Sequence, residues 1–218
     1  MILTVITPTT GKKSLLQLIE TIDQQDNNKD IFHLLLWDHI RDEDINPLIF
    51  NKDNRFSLIA PAGSGKNIDA PGSILRSIGL LAARTPYITF ADDDVWWEKD
   101  HFTKIKEIMN HYNWGSTLRK IYSPQKECIG IDTFESVGDD YTKKVPYEMC
   151  DNNCMFFKRE FASKAAYLYR ETTEYNDDRL MYAFLKKYAG KRGKTNIASI
   201  NQMCPERLVD FFKVNCEK

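Results

Sequence analysis

Hydrophobic and polar positions along the first hundred residues follow two periods that trade places segment by segment. Leu3 to Thr7 is a short apolar run of strand length, and Ser14 to Gln25 carries Leu15, Leu18, Ile19 and Ile22 at the spacing of one helix face. Ile31 to Trp37 is apolar almost throughout, the pattern of a strand buried on both faces, and Phe56 to Ala60 predicts a third strand. A helix is expected from about Ser73 to Ala83, capped by Ser73 and carrying Ile74, Leu75, Ile78 and Leu81. Tyr87 to Ala91 returns as a strand. This alternation predicts an α/β fold with a largely parallel central sheet flanked by helices.

After a helix near Asp100 to Asn110 the pattern loosens. Strands are expected around Ile121 and at Met155 to Phe157, a mobile polar loop at Glu135 to Lys144, and helices at Glu160 to Tyr169 and Asp177 to Tyr188. A turn at Gly190 to Lys194 precedes a last strand, Ile197 to Ile200, and Pro205 opens a terminal helix. No repeat or linker interrupts the 218 residues, which predicts one domain whose halves are 1–100 and 101–218.

Hydrophobic residues at 42% and charged residues at 28% exclude a disordered chain, and a net charge of −1 gives no global attraction to nucleic acid or anionic lipid. No stretch approaches the roughly 20 apolar residues that span a bilayer. The apolar start, Met1 to Ile6, lacks a basic flank and stops at Pro8, so it reads as the first strand and not as a signal peptide. Five cysteines without a CxxC pair suit a reducing cytoplasm, and Cys150 and Cys154, able to share a helical face, lack the further ligands of a zinc site and read as buried thiols.

The chemistry begins where the strand Tyr87 to Ala91 ends, at Asp92, Asp93 and Asp94, followed closely by Trp96 and Trp97. Carboxylates so close repel unless a cation or polar partners compensate them. An acidic run is usually a solvated turn, and Asp42-Glu43-Asp44, Asp139-Asp140 and Asp177-Asp178 occur here too. The apolar strand before the triplet and the aromatic rings after it favour a walled, metal-binding pocket. Gly63-Ser64-Gly65-Lys66 fails as a phosphate loop, because the earlier glycine is missing and Asn67 stands where Ser or Thr belongs. Trp96 excludes the haloacid-dehalogenase pattern, and neither a GxSxG elbow nor an HExxH helix is present.

Arg76-Ser77-Ile78-Gly79, Ala83, and Tyr87 through Asp94 resemble family-two glycosyltransferases of the GT-A fold, in which an Arg-Asn-x-Gly helix precedes a strand ending in a metal-binding Asp-x-Asp. The specific likeness covers the first hundred residues. It departs at Ser77 for Asn, Thr85 for Gly, and His39 for a second Asp after the second strand. The resemblance implies a Rossmann-like GT-A domain with a smaller acceptor-side region. It implies transfer of a hexosyl or N-acetylhexosaminyl group from a nucleoside diphosphate sugar, with UDP as the nucleotide, to a glycan or lipid-linked acceptor, with Mn²⁺ or Mg²⁺ as cofactor. Under it, Thr7, Pro8, Thr9, Asp38, Arg76, Asp92 and Asp93 serve the nucleotide sugar, with Asp38 on the base. Asp94 holds the metal, with Asp92 on the ribose or reaching the metal through water. Gln24 or Gln25 matches the glutamine that ends the first helix.

Asp177 and Asp178 open a helix, where acids suit the helix dipole and capping is an ordinary role. The resemblance makes Asp178 the base that deprotonates the acceptor hydroxyl, with Asp177 as the alternate, and implies an inverting transfer. One of Trp96 and Trp97 is expected in the core and the other against a sugar face, Trp97 being assigned to the acceptor. His101 and His111 are expected on helix surfaces or at caps. The amphipathic stretch Arg207 to Lys213 would suit contact with a membrane holding a lipid-linked acceptor, although docking on the protein's own core is the simpler role. A sugar nucleotidyltransferase, or an inactive protein of the same fold, are the competing readings.

Overall fold

Leu3–Thr9 forms β1, Ser14–Asp23 forms α1, and the apolar run Ile31–Trp37 forms β2. The computed structural model describes residues 1–38, 46–60, 72–138, 148–171 and 176–217. His39, the acidic run 42–44, the loop 61–67, the segment 139–144 and residues 174–175 lie outside the described residues. β3 (Arg55–Ile59), α2 (Ser73–Ala82) and β4 (Tyr87–Phe90) complete the first half. β1 pairs in parallel with β2 and β4, and β2 with β3, in a register that runs from Leu3↔Ile31 to Thr9↔Trp37. The carboxyl ends of β1, β2 and β4 therefore emerge at one edge, where open α/β sheets bind ligands. The continuous apolar run of β2 is explained by its place between β1 and β3.

Gly79 sets how closely α2 lies on this sheet. A Cβ there would sit 2.5 Å from Ile6 Cγ2 and 2.8 Å from Leu36 Cδ1. Gly79→Ala is expected to cost about 1–3 kcal/mol by overpacking and to lower the melting temperature. A calorimetric melt unchanged by the substitution would show that α2 can lift without cost.

Beyond β4 the expectation of a largely parallel sheet gives way. β5 (Val95–Trp97) and α3 (His101–Met109) are followed by β6 (Trp114–Tyr122), β7 (Cys128–Asp132) and β8 (Met155–Lys158). α4 (Ala162–Glu171), α5 (Asp177–Tyr188), β9 (Gly193–Met203), α6 (Val209–Asn215) and β10 (Cys216–Glu217) follow. The order along the sheet is β10-β7-β6-β8-β4-β1-β2-β3, and β4–β8, β8–β6, β6–β7 and β7–β10 are all antiparallel. β9 runs parallel to β6 and antiparallel to β5. The second half is thus a mixed extension of a parallel first half. Three of its strands, β5, β7 and β10, are too short or too polar to show a period in the sequence.

Local corrections have physical causes. Ser73 is the first helical residue of α2 and not its cap, a place taken by Gly72 at φ 82°. Cys154 ends a 3₁₀ turn, Asn152–Cys154, that Cys150 precedes, so the two do not share a helix; both are buried, as is Cys204, whereas Cys128 is exposed. His101 is buried, hydrogen-bonded through Nδ1 to Ser199 Oγ at 2.8 Å, and burial lowers its pKa to about 3. Pro205 opens a 3₁₀ turn, Glu206–Leu208, that leads into α6. Among the described residues no helix is long and apolar enough to cross a membrane.

Candidate active site

The acidic triplet occupies the turn between β4 and β5, closed by a Val95 N–H bond to the Asp92 carbonyl at 3.2 Å. Each carboxylate meets a different element. Asp93 is buried and accepts from Thr9 Oγ1 at 2.8 Å and from Lys12 Nζ at 2.9 Å, which ties the triplet to the loop after β1. Asp92 pairs with Arg76 Nη2 at 2.6 Å and accepts from Asn153 Nδ2 at 3.2 Å, while its own N–H donates to Asn153 Oδ1 at 2.6 Å. Asp94 has no such support: its Oδ1 is buried without a hydrogen-bond partner. Burial, then Asp92, pushes its pKa up to about 7 against the pull of Lys12.

Arg76, buried on α2, binds Asp92 with one nitrogen and Asp177 Oδ2 with the other at 3.3 Å, so it joins the triplet to the start of α5. Burial alone would lower its pKa, but Asp92 and then Asp177 outweigh that and raise it. Ser73 Oγ reaches the same Asp177 oxygen at 3.2 Å, and Asn152 Nδ2 approaches it at 3.4 Å. Asp177 is therefore held by side chains of other elements, and α5 receives no side-chain cap from Asn176. Asp178 differs from its neighbour. Its Oδ1 accepts the Asn152 N–H at 3.2 Å, and among the described residues it forms no ion pair. Although the residue keeps some exposure, its carboxyl is withdrawn from solvent, and burial followed by the charges of Asp151 and Asp177 raises its pKa well above the ordinary carboxylate range.

The structure brings Thr9, Arg76, Asp92, Asp93, Asp94, Asp177 and Asp178 together. Pro8 lies beside them, against Gly72, where an added Cβ would meet Pro8 Cβ at 3.4 Å and Arg76 Nη1 at 3.3 Å. Asp38 is buried at the end of β2, and its N–H donates to the Thr9 carbonyl at 3.0 Å. Two assignments fall elsewhere. Thr7 is fully buried and its hydroxyl bonds His33 Nε2 at 3.0 Å; His33 in turn accepts from Arg55 Nε at 3.3 Å, so Thr7 belongs to a polar ladder inside the sheet. Trp97 is buried in the core against His101, ring centroids 4.3 Å apart, and is screened from any acceptor. Trp96 keeps the partly exposed position, tilted on Tyr122 at 5.0 Å. Of the two glutamines, Gln25 is the clamp: its amide donates to the Thr21 and Glu98 carbonyls at 3.0 and 2.8 Å, and its carbonyl accepts the Phe102 N–H at 2.9 Å.

Sequence reasoning missed the residues that arrange these acids. Asn152 and Asn153 form one 3₁₀ turn, the first bonded to Asp177 and Asp178 and the second to Asp92. Asp151 caps that turn through Asn153 N–H at 2.8 Å and also binds Arg119 Nη1. Lys12 joins them from the loop after β1. An Asp-Asn-Asn run away from a recognised helix start was the available signal, and it reads equally as a plain turn.

One donor, the buried Asp94 oxygen without a hydrogen-bond partner, suits a divalent cation, because a buried carboxylate oxygen is stabilised by a counter-charge. Among the described residues no three His, Cys, Asp or Glu side chains gather as a cage, so the remaining oxygens would come from phosphate and water, as Mg²⁺ sites commonly require.

By sequence, the chain matches no family model and no curated protein. By structure it is similar to S. aureus TarS. The crystal structure of TarS 1–349 superposes with a TM-score of 0.68 at 18% identity, covering 100% of this chain and 67% of that one. TarS 1–349 in complex with UDP-GlcNAc gives 0.70 at 17% identity over 68% of its chain, and the complex with UDP gives 0.68 at 15% over 67%. The chain thus shares the α/β fold of TarS 1–349, about a third of which has no counterpart here.

Proposed function

We propose that this chain is a glycosyltransferase that moves a sugar from a nucleoside diphosphate donor, with UDP as the nucleotide, to a hydroxyl acceptor, inverting the anomeric centre. The observation that carries the reading is two unlike acids, one at the carboxyl edge of the sheet and one at the start of α5, linked through Arg76 and the Asn152–Asn153 turn. Asp94 offers an unpartnered oxygen to a cation, and Asp178, raised in pKa and free of any ion pair among the described residues, is a base. That TarS is known in complex with UDP and UDP-GlcNAc supports the donor class.

The donor lies over the ends of β1, β2 and β4, with Pro8, Thr9 and Asp38 on the nucleoside side and Asp38 accepting from the base. A divalent cation, Mn²⁺ or Mg²⁺, held by Asp94 with Asp92 behind it, would supply stabilisation of negative charge on the leaving diphosphate. Arg76 keeps Asp92 and Asp177 in place beside the donor. Asp178 takes the acceptor hydroxyl proton as that oxygen attacks the anomeric carbon, and the bonding pair departs with the diphosphate.

Titration calorimetry with UDP, GDP and CDP tests the donor assignment. UDP is expected to bind most tightly, and Asp38→Ala to weaken it about ten- to a hundredfold, the value of one charge-assisted hydrogen bond. Tighter binding of GDP or CDP would reassign the nucleotide, and failure of every nucleotide would remove the transferase reading.

A further inference from the structure

A cavity of about 110 Å³ lies beside Asp151 and Arg119. One buried water needs roughly 10–15 Å³ by a comparable measure, so the space suits a small ring or polyol. Arg119, Glu135, Asp151 and Gln202 line one part of it, and Leu208 and Phe212 another. A wall part polar and part apolar matches the hydroxyl edge and the C–H face of a sugar.

Its charge is as informative as its shape. Arg119 is buried, and the chain's own groups already occupy it: Asp132 at Nε (2.8 Å), Asp151 and Gln202 at Nη1, and Glu135 at Nη2 (2.6 Å). The one guanidinium on the wall is thus spent on the chain's own groups, and no cation there remains to receive a phosphate. Its position follows from shared residues. Asp151, on the wall, holds Asn153, which holds Asp92, and the adjacent Asn152 N–H donates to Asp178. Gln202 pairs with Val95, next to Asp94, and the Met203 N–H reaches the Asp94 carbonyl at 3.3 Å.

We infer that this cavity is the acceptor pocket and that its acceptor is a neutral polyhydroxylated group, a sugar ring or polyol without phosphate at the end that enters. The inference rests on the transferase reading, which supplies the need for a hydroxyl beside Asp178. Such a wall selects against phosphate by offering it no free cation.

Saturation-transfer NMR tests it with methyl β-D-glucoside and myo-inositol as neutral probes and glucose 6-phosphate as the charged one. Wild-type protein should show transfer to the neutral probes and little to the phosphate. Leu208→Trp, which fills the cavity, and Gln202→Leu, which removes its amide, should each lose most of that signal while keeping UDP affinity; Gln202→Leu also takes an acceptor from the buried Arg119 and should melt lower. Equal signals in the folded variants, or equal binding of the phosphate probe, would overturn the proposal. UDP titrated into the same samples separates the two claims: if UDP binds and no neutral probe does, the pocket fails and the donor reading stands. If wild-type protein does not bind UDP, the donor reading itself fails.

Discussion

Asp94→Asn is expected to abolish cation-dependent UDP binding while making the metal-free protein more stable at pH 8. The two effects have one cause. The Asp94 carboxyl is buried, one of its oxygens has no partner, and its pKa is pushed up to about 7. A group whose folded pKa lies above its unfolded value favours the folded state while protonated; that contribution is full below about pH 4 and is lost as pH rises through about 7. Asparagine carries no such charge. Discounted for the exposure the residue retains, the gain at pH 8 in EDTA is about 2 kcal/mol, or roughly 4–8 °C in Tm for a chain of this size, with little change at pH 4. Because a cation competes with the proton on Asp94, Mn²⁺ affinity in the presence of UDP should fall by up to about tenfold per pH unit below 7. Calorimetry showing equal UDP affinity with Mn²⁺ and with EDTA, or a variant that melts lower at pH 8, would remove Asp94 from the metal site.

Asp178→Asn is expected to lower turnover by about 10²–10⁴-fold while UDP affinity holds. If Asp178 merely stabilised the start of α5, its loss would lower the melting temperature and leave turnover largely intact. The structure argues against that role, since Asp177 and not Asp178 carries the bonds to Ser73 and Arg76. Removing the Asp178 charge should leave the melt at neutral pH unchanged or raise it, because burial and the neighbouring acids disfavour the ionised form in the folded state. The raised pKa also places the acid limb of the wild-type rate profile above the ordinary carboxylate range, rate increasing with pH as the base ionises. Asp177→Asn should behave in the opposite way, losing stability through the Arg76 pair. Wild-type turnover in Asp178→Asn, or product that retains the donor's anomeric configuration, would refute the base assignment.

How much of this was legible beforehand depended on the range of the interaction involved. β2, apolar except for His33, and α5 match their predicted limits. The acidic triplet was readable too, because strand-end carboxylates beside aromatic residues form a local pattern. The second half was harder to read. β7 exposes Cys128 at one end and buries Asp132 at the other, and Asp132 is inside only because Arg119, on another strand, neutralises it. The two lie 13 residues apart on neighbouring strands, and only the pairing of those strands brings them into contact.

The sequence by itself determined the alternation of elements, the parallel half of the sheet and the acidic cluster at its carboxyl edge, since these depend on period and on residues close in the chain. Only the tertiary structure decided which acid does what. Asp92 and Asp177 are held by one arginine, Asp93 by Thr9 and Lys12, and Asp94 by nothing at its buried oxygen. It likewise placed Thr7 and Trp97 inside the protein and Asn152 and Asn153 between the acids. Four identical side chains become different chemical groups through their neighbours, and those neighbours arrive from distant segments whose register the fold alone sets.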